Sequence, residues 1–374
     1  MAISLFIAGD VVPKGIRPED FDNNGEQIFA EMKPYISGAD FSIVNFEAPI
    51  IKEKNTPIRK DGPCLGVAPT TVSVLKKIGF NVFTLANNHF FDQGQKGVEN
   101  TINECVSQNV KVVGGGKTVL QAREPLILMH KDGKVAIINA CEHEFSIANI
   151  EHGGSNPIDL INLQEDISAI RSKVDYVVLI LHGGIEGFQY PTPRMKREYR
   201  HFVELGADVV INHHQHCVCG YEIYKGKPIY YGLGNFYFPG EKQSRPLSWF
   251  YGYAVQITLG DKIDHNIIPY KQTSQLISIR DVKEFENEMS LLNIPIHNDF
   301  LLQQKFDDLL IDKEYFLKLQ LMPSFLRGKL FSRLIIRRML GKLFFGKYKL
   351  STKNNLICES HIESIVRLFE IITK

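Results

Sequence analysis

Ala207-Asp208-Val209-Val210-Ile211-Asn212-His213-His214-Gln215-His216 is the stretch whose reading decides the fold. Its first half is the kind of apolar, β-branched run that a buried strand selects. Its second half sets three histidines within four residues at the end of that strand. A single loop then presents several imidazoles to one point, as a metal site requires. Two readings stand on this stretch alone: a metal site, or a loop held by hydrogen bonds.

Four other apolar runs finish in the same manner. Met1 to Ala8 leads into Gly9-Asp10, and Phe41 to Val44 into Asn45-Phe46-Glu47. Asn81 to Ala86 leads into Asn87-Asn88-His89, and Asp175 to Leu181 into His182-Gly183-Gly184-Ile185-Glu186. Sites in open α/β folds form outside the carboxyl ends of strands, so repeated polar endings of this kind read as one composite site. The turn-forming preference of Asn, Asp and Gly is the plainer account of any single ending. Carboxylate and amide oxygens suit a hard divalent cation, and the imidazoles shift the preference towards zinc, manganese or iron.

With these motifs the chain resembles the CapA capsule-synthesis family, also called the poly-γ-glutamate synthesis family, whose fold is similar to that of calcineurin-like metallophosphoesterases. The resemblance is carried by Gly9-Asp10, Asn45-Phe46-Glu47, Leu85-Ala86-Asn87-Asn88-His89 with Asp92 and Gly94, His182-Gly183-Gly184-Ile185-Glu186, His213-His214-Gln215-His216 and Tyr231-Gly232-Leu233-Gly234-Asn235-Phe236. It implies an α/β fold, a four-layer αββα sandwich of two mixed sheets. It also implies one or two divalent ions, with manganese, zinc or iron expected. Asp10 and His216 would hold one ion, Asn88, His182 and His214 the other, and Glu47 would bridge them. His89 would then protonate a leaving group, with Asp92 orienting it, while Glu186 and His213 would orient ligands or touch substrate. Two positions depart from the phosphoesterase pattern. Val12 stands where those enzymes carry a histidine, and Glu47 where they carry an aspartate, which thins the donor set of the first ion.

With 374 residues, one large domain plus an appendage is expected, divided here as 1–272 and 273–374. Hydrophobic content of 44% and charged content of 23% are those of a soluble globular protein. A net charge of +1 gives no reason to expect a nucleic-acid partner. Six cysteines scattered through the chain form no disulfide framework, so reduced thiols in the cytoplasm are expected. Cys217-Val218-Cys219, in an expected strand, is open to two readings, buried structural cysteine or added thiolate ligands. Met1-Ala2-Ile3-Ser4 lacks a basic region and Asp10 interrupts the apolar run, so neither a signal peptide nor a membrane span is expected there. Gly114-Gly115-Gly116 before Lys117-Thr118 lacks the spacing of a nucleotide-triphosphate loop.

Along the chain, Val12 to Gly25 reads as a loop and Ile28 to Ile36 as a short helix. Ile51 to Pro69 reads as an exposed excursion whose Lys52, Lys54, Arg59 and Lys60 either meet an anionic substrate or are simply solvated. Hairpins are expected around Asp132-Gly133, Lys225-Gly226 and Gly260-Asp261. From about Gln275 helical patterns take over, giving a basic amphipathic extension. Between Pro323 and Leu350 there are Arg327, Lys329, Arg333, Arg337, Arg338, Lys342, Lys347 and Lys349, with no acidic residue. That stretch either docks on an anionic membrane surface or protein partner, or packs as a basic helix with solvated lysines. The expected location is the cytoplasm, with attachment to the inner face of the membrane following only from the docking reading of that stretch. Two functions stay open besides a purely structural scaffold, which explains the cation-rich tail but not the clustered polar strand ends. One is a metal-dependent hydrolase or transferase acting on a phosphoester, or on an amide or ester link, of a surface polymer or its precursor. The other is a non-catalytic subunit that binds polymer or partner in a capsule or poly-γ-glutamate synthesis assembly.

Overall fold

The computed structural model describes residues 2–52, 57–239, 245–312, 354 and 357–372. The expected basic stretch at 323–350 lies outside these residues.

The first sheet contains β1 (Ile3–Val11), β2 (Phe41–Phe46), β3 (Val82–Thr84), β4 (Lys111–Val113), β13 (Asn235–Tyr237), β14 (Tyr251–Leu259), β15 (Ile263–Gln272) and β16 (Ile277–Ile279). Its order is β16-β15-β14-β1-β2-β3-β4, with β13 also pairing β1. Strands β1 to β4 run parallel to one another, whereas β14, β15 and β16 add antiparallel edges. The second sheet contains β6 (Leu126–His130), β7 (Gly133–Cys141), β9 (Tyr176–His182), β10 (Val209–His213), β11 (Tyr221–Tyr224) and β12 (Lys227–Tyr230), in the order β11-β12-β10-β9-β7-β6. Here too a parallel centre is flanked by antiparallel edges. A short pair, β5 (Gly115–Gly116) and β8 (Gly154–Ser155), stands apart.

Alternation along the strands sorts their side chains into layers. Ile3, Leu5 and Ile7 of β1 join Ile137, Val178, Ile180 and Ile211 of the second sheet in one buried cluster between the sheets. Phe6 and Ala8 point the other way, onto α1 (Pro18–Ile28), α3 (Thr70–Ile78) and α4 (Gly94–Ser107) through Phe21, Val72, Leu75 and Val98. On the far face of the second sheet, Ile138, Leu179 and Val210 pack on α6 (Leu160–Arg171) and α7 (Pro193–Leu205) through Leu163, Ile167, Met195 and Phe202. The result is a four-layer αββα sandwich. The helix α8 (Val282–Ile296) sets Phe285, Met289 and Leu292 into the layer between the sheets, and α9 (Asp299–Asp312) follows it.

Three local readings change. The stretch expected as a loop from Val12 to Gly25 contains most of α1, which begins at Pro18, where a missing N–H is harmless, and has Glu19 and Asp20 in its first turn. The helix expected from Ile28 to Ile36 is split, with α1 ending at Ile28 and α2 running Lys33–Ser37. Pro34 sits in the first turn of α2, a place it tolerates, and would have clashed inside a continuous helix. Cys217 and Cys219 lie outside the strands and pack side by side into the outer core of the second sheet.

Candidate metal centre

The parallel strands of both sheets deliver their carboxyl ends to one place. In β1 the pairing with β2 shifts register between Ala8 and Asp10, an irregularity of the kind that re-aims a side chain. Gly9 is required there, since a Cβ on it would meet the Gly234 carbonyl oxygen at 1.8 Å. This close approach pairs Asp10 with Asn235 of β13. The end of β2 supplies Asn45 and, one residue past the strand, Glu47. In the second sheet, His182 ends β9 opposite His213, which ends β10. His214 and His216 follow with φ of 91° and 55°, backbone conformations that non-glycine residues rarely adopt. Strain of this kind persists only where the surroundings enforce it, and it concentrates at ligand sites.

Two donor groups share one carboxylate. Glu47, His182 and His214 form the first and Asp10, Glu47 and His216 the second, with ligand atoms in each group all within 4.8 Å of one another. Glu47 Oε1 lies 3.6 Å from His182 Nε2 and 3.7 Å from His216 Nε2. These separations are too long for hydrogen bonds. They are close to the roughly 3.4 Å that separates two donors held at about 2.1 Å around one tetrahedral ion. Asn88 Oδ1 is 3.1 Å from His182 Nε2, which is in turn 3.1 Å from His214 Nδ1.

Glu47 is wholly buried, yet neither of its carboxylate oxygens has a hydrogen-bond partner among the described residues. Asp10 Oδ2 lies 3.2 Å from His216 Nδ1. An isolated buried carboxylate is strongly disfavoured, so the residues fit a cation that these oxygens would share. The titration tendencies carry the same message. Burial, and then the neighbouring Asp10 charge, push the Glu47 carboxyl well above its usual range. Burial acts in the same sense on Asp10, but the His216 hydrogen bond and the nearby His213 and His182 hold it low. His216 is driven up to about 10; burial opposes this, and Glu47 and Asp10 outweigh it. Burial, followed by His214, keeps His182 well below its usual range, and burial lowers His213. Neutral imidazole is the form that binds a metal.

Further contacts fix the donors. Asn45 Nδ2 donates to Asp10 Oδ1 at 2.7 Å and lies 3.2 Å from His182 Nδ1, the ring nitrogen facing away from Glu47. Asn235 Oδ1 is 2.8 Å from His216 Nδ1, and Trp249 lies against the same ring. Such contacts set ring orientation in metal sites.

The remaining expected residues fall around this centre. His213 Nδ1 is 3.6 Å from Asp10 Oδ1, and neither of its ring nitrogens has a hydrogen-bond partner among the described residues. His89 Nδ1 is 2.6 Å from Asp92 Oδ2, and Lys60 is ion-paired with Asp92 and 3.1 Å from His89 Nδ1. Burial lowers the His89 imidazole, with Asp92 opposing and Lys60 assisting. Glu186 stands exposed at the mouth of a cleft of about 390 Å³, which is also lined by Lys60, Asn88, His89, Glu144 and His214. Two larger hollows, of about 670 and 730 Å³, lie away from these donors beside α1 and α7.

Asn45 and Asn235 fall within the strand-end motifs, but their roles as partners of His182 and His216 show only in the fold. Lys60, which the sequence leaves open between solvent and substrate, has a buried side chain. Asn354 and His361, which also line the cleft, went unnoticed because nothing in their neighbourhood repeats the strand-end pattern.

The family described as bacterial capsule synthesis protein PGA_cap matches residues 4–240. The capsule biosynthesis protein CapA of Bacillus anthracis is 29% identical over 246 residues, covering 63% of this chain and 60% of the relative. The PGA biosynthesis protein CapA of Bacillus subtilis is 31% identical over 241 residues, covering 63% of each. The chain thus spans about three-fifths of the length of these relatives. Among solved structures, a phosphatase from Mycoplasma pneumoniae aligns with a TM-score of 0.48 and 16% identity, covering 78% of this chain and 99% of that one. With well over half of its length matched from residue 4 onward, the chain belongs to the PGA_cap family of bacterial capsule synthesis proteins.

Proposed function

We propose that the chain is a metal-dependent hydrolase or transferase that acts on a phosphoester, or on an amide or ester link, of a surface polymer or its precursor. The observation that carries this reading is Glu47, a buried carboxylate without hydrogen bonds that two donor groups share. Divalent ions held there would polarise a phosphoryl or carbonyl oxygen and lower the pKa of water.

The chain's own residues supply the rest. Asp10, Glu47 and His216 would hold one ion, and Glu47, His182, His214 and Asn88 the other. His89 is the proton-transfer group: Asp92 engages its Nδ1 and leaves Nε2 for the cleft. Burial holds its imidazole low, with Asp92 opposing, and the proton it passes goes to the leaving group. Lys60, ion-paired with Asp92, places a cation beside the cleft where an anionic substrate group would enter. His213 and Glu186 serve to orient the donors and the substrate.

The capsule and poly-γ-glutamate roles named for the relatives supply the polymer class. Six free cysteines fit a reducing compartment, which supports a cytoplasmic location. Among the described residues, no helix is long and apolar enough to cross a membrane.

The test is metal analysis of the purified chain together with hydrolysis of a generic phosphodiester. Stoichiometric manganese, zinc or iron, with activity lost in His214→Ala, is expected. Absence of both metal and hydrolysis would favour the second reading, a binding subunit of a polymer-synthesis assembly. Val12 is the residue that speaks for that alternative, because it stands where the phosphoesterases carry a histidine and so leaves the group of Asp10, Glu47 and His216 one imidazole short.

A further inference from the structure

The C-terminal helix (Glu359–Ile372) docks beside the cleft, far outside the region that matches the family. Its first turns are tied to the loops that follow β7 and precede α7. Glu359 accepts from the His143 backbone N–H at 2.9 Å, Ser360 Oγ donates to Glu142 at 2.7 Å, and Glu363 accepts from the Arg194 backbone N–H at 3.0 Å. These bonds fix which face of the helix meets the cleft.

Asn354 and Cys358 lie just before the helix and His361 in its first turn, at positions i, i+4 and i+7. The bonds from Cys358 N to Asn354 O and from Ile362 N to Cys358 O, both 2.9 Å, have the helical spacing that stacks such residues. Opposite them stands Glu144, three residues past the end of β7. A carboxylate oxygen of Glu144, the Cys358 sulfur and a ring nitrogen of His361 all lie within 4.8 Å of one another. Glu144 Oε1 is 4.0 Å from His361 Nε2. Asn354 is buried, its Nδ2 lies 3.3 Å from both Glu144 Oε1 and His361 Nδ1, and its Oδ1 has no partner among the described residues. Turning that amide would offer a neutral oxygen to the same point. A neighbouring group of Glu142, Cys358 and Glu359 is less available, because Glu142 is engaged by Arg194 and Ser360, and Glu359 by His143.

We propose that Glu144, Cys358 and His361, with Asn354 beside them, form a separate binding site for a divalent cation of the zinc class on the rim of the cleft. One thiolate, one imidazole and one carboxylate make a mixed soft and hard donor set, which suits Zn²⁺ or Co²⁺ and disfavours Mg²⁺ or Ca²⁺. Zinc bonds of about 2.0–2.3 Å require the three side chains to draw in by less than roughly an ångström each, a rotamer-scale movement. Cys358 releases its thiol proton to solvent as the sulfur becomes the donor. Glu144, His361 and Asn354 all line the cleft, so an open coordination position would face the substrate side. The ion would pin the C-terminal helix to the loop after β7.

Sulfur separates this site from the Glu47 centre, whose donors are oxygen and nitrogen only. The full-length protein, stripped of metal, is titrated with Co²⁺ and followed by near-ultraviolet absorption. One equivalent is expected to produce the thiolate-to-cobalt charge-transfer band. The band should vanish in Cys358→Ser and persist in Cys64→Ser and in Asp10→Asn, which impairs only the other centre. His361→Ala should leave the helix fold intact while weakening cobalt binding at the band-forming site by at least about tenfold. Cobalt bound without any thiolate band, or a band that survives Cys358→Ser, would overturn the proposal and leave the Glu47 centre unaffected.

Discussion

The two sheets bring different chemistry to the same edge of the molecule. At or just past the carboxyl ends of the first sheet's parallel strands stand oxygen donors, Asp10, Glu47 and Asn88; at or just past those of the second stand imidazoles, His182, His213, His214 and His216. Each donor group draws on both sets, so neither sheet contains a complete site. The difference teaches that the centre is a property of sheet packing. A cation bound there would clamp one sheet to the other, and its loss should be felt as stability as well as activity.

Glu47 is the one residue common to both groups, so changing it should do the most. Glu47→Ala is expected to remove all tightly bound metal from this centre and lower turnover of a generic phosphodiester roughly a hundredfold or more, since even outer-shell partners are worth 10–100-fold. Metal analysis and steady-state rates on the same preparation check both halves of the statement. If Glu47→Ala retained full metal at this edge, the sharing of one carboxylate would be wrong.

One-sided changes should produce one-sided losses. Asp10→Asn strikes the oxygen side and His182→Ala the nitrogen side, and each is expected to lower stoichiometry by one ion while leaving the other group filled. His89→Gln should behave differently, reducing kcat by about 10²–10⁴ without altering metal content, as expected of a proton-transfer residue. A fall in metal content in that variant would place His89 among the ligands instead.

The clamp itself has a thermodynamic signature. A cation at a hundredfold excess over its Kd should stabilise the wild-type chain by about 2.7 kcal/mol, and the chelator-treated protein should melt correspondingly lower. Glu47→Gln should show no such metal-dependent shift in Tm.

The smallest effect concerns the second sheet alone, the one that also receives the C-terminal helix. His143, beyond β7, is raised by its hydrogen bond to Glu359, with burial opposing and Asp159 and Glu142 assisting. A raised imidazole contributes fully below its ordinary value of about 6.5, and that contribution is lost as pH rises through the raised value. The helix should therefore dock more firmly at pH 6 than at pH 9. The pair is partly exposed and screened, so the difference should stay below about 1 kcal/mol. Limited proteolysis near residue 359 reads it, and His143→Gln should abolish the pH dependence.

What was legible beforehand follows from where the information sits. Apolar runs ending in Asp10, Glu47, Asn88, His182 and His213 were readable because strand and donor are neighbours in sequence, and the structure gathers those ends at one edge. The hairpins around Gly133, Gly226 and Gly260 were readable from their turn residues. Asn45, Asn235 and Lys60 were not assigned, since what they do depends on a partner far along the chain, such as Asp92 for Lys60. The site made by Glu144, Cys358 and His361 had no local signature, because its members meet only after the C-terminal helix has docked. The first helix lies in a stretch that reads as a loop, because Pro18 at its first turn and the paired asparagines inside it are residues that turns also favour.

The account rests on one carboxylate serving both donor groups, and a crystal of the full-length chain grown with manganese tests that directly by anomalous scattering. Two peaks within bonding distance of the Glu47 carboxylate, one towards His182 and His214 and the other towards Asp10 and His216, are predicted. No peak at Glu47 under saturating manganese would contradict it.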